Sequence, residues 1–140
     1  KRYLPYVIEV SIWLSRNVLV SMAEAYDEEE YLDGNGEKQT RTVARFPKYL
    51  APIKFAILPL IEKSPEMIQL SEKIFDKLSA NYMCELDAKW WIWKRYRRQD
   101  EIWTPYCITV DHQSLEDWTV TVRDRDTMKQ ERVKIEDIRF

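Results

Sequence analysis

The chain is 140 residues long, 45% hydrophobic and 33% charged, with a formal net charge of −2. That length and balance fit one soluble domain with a sizeable core. The small net charge excludes indiscriminate nucleic-acid binding while leaving room for a local basic site. No apolar run approaches the roughly 18 residues a membrane span requires, so no membrane partner is expected. Lys1-Arg2-Tyr3-Leu4-Pro5 opens no secretory leader, and a cytoplasmic setting follows as the expectation.

Glycine usage is anomalous. Average usage is about 7%, or roughly ten residues in a chain of this size. Only Gly34 and Gly36 are present, in one loop, against six tryptophans. Trp13, Trp93, Trp103 and Trp118 fall at or beside predicted element boundaries, a pattern of substitution at turn positions.

In chain order, Tyr6-Val7-Ile8-Glu9-Val10-Ser11 reads as a short strand dominated by β-branched residues. Ser15 can cap a helix running to about Tyr26, with Leu14, Val18, Met22 and Ala25 at helical spacing. Asp27 to Gln39 reads as a solvated acidic connector. Thr40 to Phe46 is extended, and Pro47 and Pro52 bracket a turn. Ile53 to Ile61 is a nearly continuous apolar run, as in a strand buried on both faces. Ser64-Pro65 opens a helix whose apolar stripe is Met67, Leu70, Ile74, Phe75 and Leu78. Tyr82–Leu86 is a second strand, Lys94–Ile102 a basic helix, and Tyr106–Val110 a third strand. Residues 112–117 form a connection. Thr119–Arg123 alternates as a half-exposed strand, and Arg132–Ile135 is a last short one. Glu136 to Phe140 can begin a final helix.

The order from Ile53 is β-α-β-α-β-β. Two strand–helix–strand units imply parallel strands with covering helices, and the last pair implies an antiparallel hairpin. The fold class is therefore α/β, a mixed β-sheet flanked by helices. The chain divides into a strand plus helix at 1–26, a connector at 27–52 and the α/β domain at 53–140. Trp90, Trp91, Trp93 and Trp118 are placed at the carboxyl edge of the parallel strands, where open α/β sheets favour ligands.

Little supports catalysis. His112 has no His or Cys at metal-ligand spacing and reads as a turn histidine. No phosphate loop or nucleophile motif is present, and no cofactor is implied. Asp124 and Asp126 alternate with Arg123 and Arg125, which fits a charge-paired strand end better than a catalytic pair. Cys84 and Cys107 read as buried free thiols. The basic helix is more informative. Lys94, Arg95, Arg97 and Arg98 can contact RNA phosphates, and Gln99 or Glu101 can read base edges. The competing reading is a solvated helix with ion pairs such as Arg97 to Glu101. Thr104-Pro105 stops the helix, and the residue just past such an end usually takes positive φ and is glycine. Trp103 stands there. The turn before the helix, Trp90-Trp91-Ile92-Trp93, also lacks the small residues turns require.

The run from Lys94 to Ile102, then Thr104 to Asp111, resembles the anticodon-binding domain of bacterial-type glycyl-tRNA synthetases. So do Leu50-Ala51-Pro52-Ile53-Lys54, Leu115-Glu116-Asp117 and Thr119 to Met128. Tyr6 to Ser11 and Arg16 are similar to that family's last class II catalytic motif. The resemblance implies a mixed sheet flanked by helices, and the tail of a catalytic domain joined to an anticodon-binding domain. It also implies glycine tRNA as a partner, with Arg125 joining the residues of the basic helix at the RNA. The family's turn reads Gly-Ser-Ile-Gly where Trp90-Trp91-Ile92-Trp93 stands. It has Gly where Trp103 and Trp13 stand, Asn or Gly at Trp118, and an acidic residue at Ser15.

Two functional expectations follow. The first is a non-catalytic engineered module that binds a protein partner, or a second copy of itself, through Trp13, Trp90, Trp91, Trp93, Trp103 and Trp118. The alternative is an RNA-binding module that retains recognition of the glycine tRNA anticodon.

Overall fold

The computed structural model describes residues 2–32 and 34–140; Lys1 and Asp33 lie outside the described residues. Helix α1 spans Leu14–Ala25, followed by strands β1 (Tyr26–Leu32), β2 (Lys38–Ala44) and β3 (Phe55–Pro59). Helix α2 (Pro65–Ser79), β4 (Cys84–Leu86), α3 (Ile92–Glu101) and β5 (Tyr106–Val110) come next. The chain ends with α4 (His112–Asp117), β6 (Thr119–Asp124), β7 (Gln130–Lys134) and a 3-10 turn at Ile135–Asp137. Among the described residues, no helix is long and apolar enough to cross a membrane.

The main sheet has the order β4-β3-β5-β6-β7. β3 pairs in parallel with β4 and β5, whereas β5–β6 and β6–β7 are antiparallel. This is the mixed sheet flanked by helices that the element order implied. β3 is buried along its whole length because a helix covers each face. On one face Phe55 and Ile57 pack with Met67, Leu70, Ile74 and Leu78 of α2 and with Ile108, Val110 and Val120. On the other, Ala56, Leu58 and Cys107 meet Ile92 and Tyr96 of α3. α2 begins as its sequence dictates: the Ser64 hydroxyl accepts from the Met67 N–H, and Pro65 occupies the first turn.

Three expectations fail between residues 6 and 25. Residues 6–11 form no strand; Tyr6, Val7, Ile8 and Val10 are exposed. A strand exists only with a partner for its backbone groups, and no described strand pairs with this segment. Ser15 does not cap α1, which starts after Trp13 with no side-chain cap. Of the predicted stripe on that helix, Ala25 is buried, while Leu14, Val18 and Met22 are exposed.

The acidic connector is β1 of an antiparallel hairpin paired with β2 from Tyr26↔Ala44 to Leu32↔Lys38. Its charges hid the strand. Tyr26, Glu28, Glu30 and Leu32 face solvent, while Asp27, Glu29 and Tyr31 are half-buried. Arg45 pairs with Asp27 at 2.8 Å and with Glu29, and Arg41 also pairs with Glu29. Acids on both faces erase the apolar alternation by which a strand is recognised. Residues 112–117, read as a connection, form α4 behind a capping box between Asp111 and Ser114. The predicted terminal helix is only the 3-10 turn.

Asp111 also receives a two-pronged bond from Arg132 of β7, at 2.6 and 2.9 Å. That guanidinium, helped by Ser114, holds the Asp111 carboxyl down at about 2 against the opposing effect of burial. A depressed carboxylate stabilises the fold above its ordinary unfolded value near ~3.9, and that contribution is lost as pH falls through about 2. Arg132→Ala should therefore lower stability at pH 7 but leave it unchanged relative to the parent below pH 2. The two side chains keep 27% and 24% of their surface in solvent. Screening reduces the expected loss to about 1 kcal/mol. Urea melts of both chains at a series of pH values check this; a difference that persists undiminished at pH 2 counts against it.

Candidate functional site

The basic helix divides into an inner and an outer face. Ile92, Arg95, Tyr96, Gln99 and Asp100 recur at i, i+3, i+4, i+7 and i+8 and point into the domain. Arg95, Gln99 and Asp100 are each only 1% exposed. Lys94, Arg97, Arg98 and Glu101 occupy the outer face, with Arg97 half-buried and the others exposed.

This division separates the residues expected at the RNA into buried and outward-facing ones. Arg95 donates to the carbonyls of Pro59 (2.7 Å) and Asp87 (2.9 Å), so it joins the loops that leave β3 and β4. Burial pushes its pKa below the usual arginine value. The Gln99 side chain accepts from the Thr104 hydroxyl at 2.6 Å and fixes the end of α3. Arg125, 2% exposed, donates to the carbonyls of Trp103 (2.9 Å) and Phe46 (2.8 Å). All three are buried and engaged inside the protein.

A buried ion network supports the helix from below. Asp100 accepts from Arg123 at 2.8 and 3.0 Å and from Arg41 at 2.9 Å. Arg41 lies on β2, so the network fastens the hairpin to α3. Arg123 also lies over the Tyr96 ring, 4.9 Å from its centroid, and the Tyr96 hydroxyl bonds Thr109. Sequence reasoning missed Arg41, Asp100 and Arg123. The helical spacing of the inner stripe was a usable signal, but polar residues carry most of it.

Two clefts flank the outer face. A cleft of about 710 Å³ lies between the hairpin, α3 and the β6–β7 turn. Tyr31, Gln39, Arg41, Trp93, Tyr96, Arg97, Arg123 and Gln130 are among its lining residues. A shallower one of about 260 Å³ is lined by Trp90, Lys94, Arg97, Arg98 and Glu101. Arg97 borders both and donates to the Tyr31 hydroxyl at 3.2 Å. Arg98 pairs with Asp87 and donates to the Lys89 carbonyl at 3.1 Å. Lys94 sits 5.3 Å from the ring centroids of both Trp90 and Trp93. The arrangement offers cations and aromatic faces along one helix, with the amides of Gln39 and Gln130 on the neighbouring strands of the cleft. Among the described residues no group of three or more His, Cys, Asp or Glu is placed to hold a metal. His112 is exposed in the first turn of α4. Cys107 is a buried free thiol whose pKa burial pushes up to about 12, and Cys84 is a partly buried one.

The tryptophans do not gather at one place. Trp90 and Trp91 border a cleft of about 830 Å³ with Leu60, Ile61 and Ile92. Trp93 faces the hairpin cleft. Trp118 borders a small cleft with Glu66, Gln69 and Lys73 of α2, on the other side of the sheet. Trp103 is half-buried and stacks on Phe46 at 4.9 Å. Trp13 is exposed at the start of α1.

These features define a small mixed α/β domain with a basic, aromatic-lined helix face. The family model for the anticodon binding domain matches residues 54–139, and the chain belongs to that family. It is 52% identical over 138 residues to a glycine–tRNA ligase of Ruminiclostridium cellulolyticum and 51% identical over 139 residues to one of Clostridium perfringens. Each alignment covers 99% of this chain, but only 28% and 29% of the relatives' own length. Among solved structures, prolyl-tRNA synthetase from Cryptosporidium parvum shares the fold over 77% of this chain and 29% of its own, with a TM-score of 0.61 and 18% identity. The RNA binding domain of threonyl-tRNA synthetase from Cryptosporidium parvum Iowa II matches over 64% of this chain and 22% of its own, with a TM-score of 0.58 and 22% identity.

Proposed function

We propose that this chain is the RNA-recognition part of a glycine–tRNA ligase and binds the anticodon stem-loop of glycine tRNA along the outer face of α3. Lys94, Arg97 and Arg98 meet phosphates. Glu101 and the amide and hydroxyl groups of the hairpin cleft are positioned to read bases. The observation that carries the reading is Arg97, a half-buried cation at the junction of two clefts on a helix whose other face is fully engaged. Titration of the chain with glycine tRNA and with unrelated tRNAs tests it. Preferential binding of glycine tRNA is expected; equal binding of all, or none at low salt, would sink the anticodon reading.

The chain by itself should form no glycyl-adenylate. It spans about 28% of the relatives it matches, and only Tyr6 to Ser11 and Arg16 resemble their catalytic motif. Glycine-dependent pyrophosphate exchange above a blank would overturn this expectation.

The second reading, a protein interface made by the tryptophans, is favoured by the exposure of Trp90, Trp91, Trp93 and Trp118, each 50% or more. Their distribution over separate clefts weakens it, since binding hot spots cluster.

A further inference from the structure

Three of the six tryptophans occupy backbone sites that favour a different residue. Among the described residues four non-glycines have positive φ, and three are tryptophan: Trp90 (78°), Trp103 (76°) and Trp118 (57°). An L-residue with a bulky side chain is strained there, whereas glycine is not. Trp103 follows the last turn of α3 and Trp118 caps α4, the positions where a helix ends on a left-handed glycine. Trp13 and Trp91 are helix N-caps that make no side-chain cap bond. At that position tryptophan supplies nothing, while glycine is among the accepted residues. Trp93 lies in the first turn of α3; its backbone does not require glycine.

Composition points the same way. The chain has two glycines where roughly ten are usual, and every one of its tryptophans is at an element boundary or in a first turn. Tryptophan is ordinarily a residue of cores and interface centres. Here none is fully buried, and five of the six are 50% or more exposed. Substitution for an interface would place tryptophans to share one surface. Here three stand at left-handed backbone positions and two at uncapped helix starts, on both sides of the sheet.

We infer that all six positions are glycine sites, specified by UGA codons that the cells making this protein read as glycine. UGA differs by one base from the glycine codon GGA and by one from the tryptophan codon UGG. A UGA read as tryptophan therefore yields this pattern, with tryptophan wherever that codon specifies glycine. The functional chain then carries eight glycines, the two present and these six. Its exposed tryptophan surface does not exist. The turn before α3 is open, so Lys94 and Arg97 stand clear of Trp90 and Trp93. The inference does not depend on the RNA reading.

Three measurements test it. Sequencing the gene should show UGA at all six positions; UGG at any of them overturns the inference. Peptide masses of the protein isolated from its own cells should show glycine at each site, and tryptophan there overturns it even if the codons are UGA. The triple variant Trp90→Gly, Trp103→Gly, Trp118→Gly should melt higher than the tryptophan chain, by on the order of 5 °C. A triple variant no more stable than its parent would show that these backbone sites have no need of glycine, and overturns the structural half of the argument.

Discussion

Replacing Asp100 with alanine should unfold much of the domain's stability, by about 3–5 kcal/mol. Asp100 is 1% exposed and is the shared acceptor of Arg41 and Arg123, themselves 3% and 6% exposed. Its loss leaves the buried Arg123 guanidinium without its counter-charge and leaves Arg41 with Glu29 alone. Removing one partner of a buried pair is far more damaging than the net worth of the pair, because the desolvation already incurred is no longer offset. For a chain of this size the loss lowers the melting midpoint by roughly 10–15 °C. The hairpin should loosen before the sheet does, since Arg41 on β2 is held to α3 through Asp100. Amide exchange would then report early opening of residues 26–44 in the Asp100→Ala protein. A denaturant melt showing less than about 1 kcal/mol of loss would mean the network is not coupled in this way.

The second large effect concerns RNA. Three cations, Lys94, Arg97 and Arg98, stand on the outer face of α3. A ligand neutralised by about three contacts loses roughly 20-fold in affinity between 50 and 200 mM salt. Arg97→Ala should weaken glycine tRNA about tenfold and lower the salt slope by about one, because its guanidinium borders both clefts. Arg98→Ala should weaken it less, since Arg98 is already paired with Asp87. Phosphate contacts position the strand without reading it, so these variants should weaken all tRNAs alike. Arg95→Ala has a different signature: the protein is destabilised, because Arg95 joins the two loops at the carboxyl edge. An unchanged salt slope in Arg97→Ala would show that the RNA lies elsewhere.

Much of the fold was legible. The apolar run from Ile53, the Ser64-Pro65 start of α2 and the β-α-β order led to the parallel core of the sheet. The Thr104-Pro105 stop even forecast a positive φ at residue 103, where the structure has 76°. The candidate site was legible only by half. Lys94 to Arg98 read as one basic cluster, yet Arg95 turns inward while Lys94, Arg97 and Arg98 do not. The inner stripe carries charge because its partners, Arg123 and the carbonyls of Pro59 and Asp87, are supplied from other elements. A hydrophobic periodicity has no access to those partners.

The division is physical. Sequence by itself determined much of what depends on neighbouring residues: the buried strand run from Ile53, the start of α2 at Ser64, and the left-handed turn at residue 103. Those are local steric and hydrogen-bonding constraints within a few residues. Tertiary structure alone decided which charges are buried, that residues 26–44 form a hairpin, and that residues 6–11 form no strand. Each depends on a partner distant in the chain: Asp100 for Arg41, Arg45 for Asp27, and for residues 6–11 a pairing strand that the described residues do not supply.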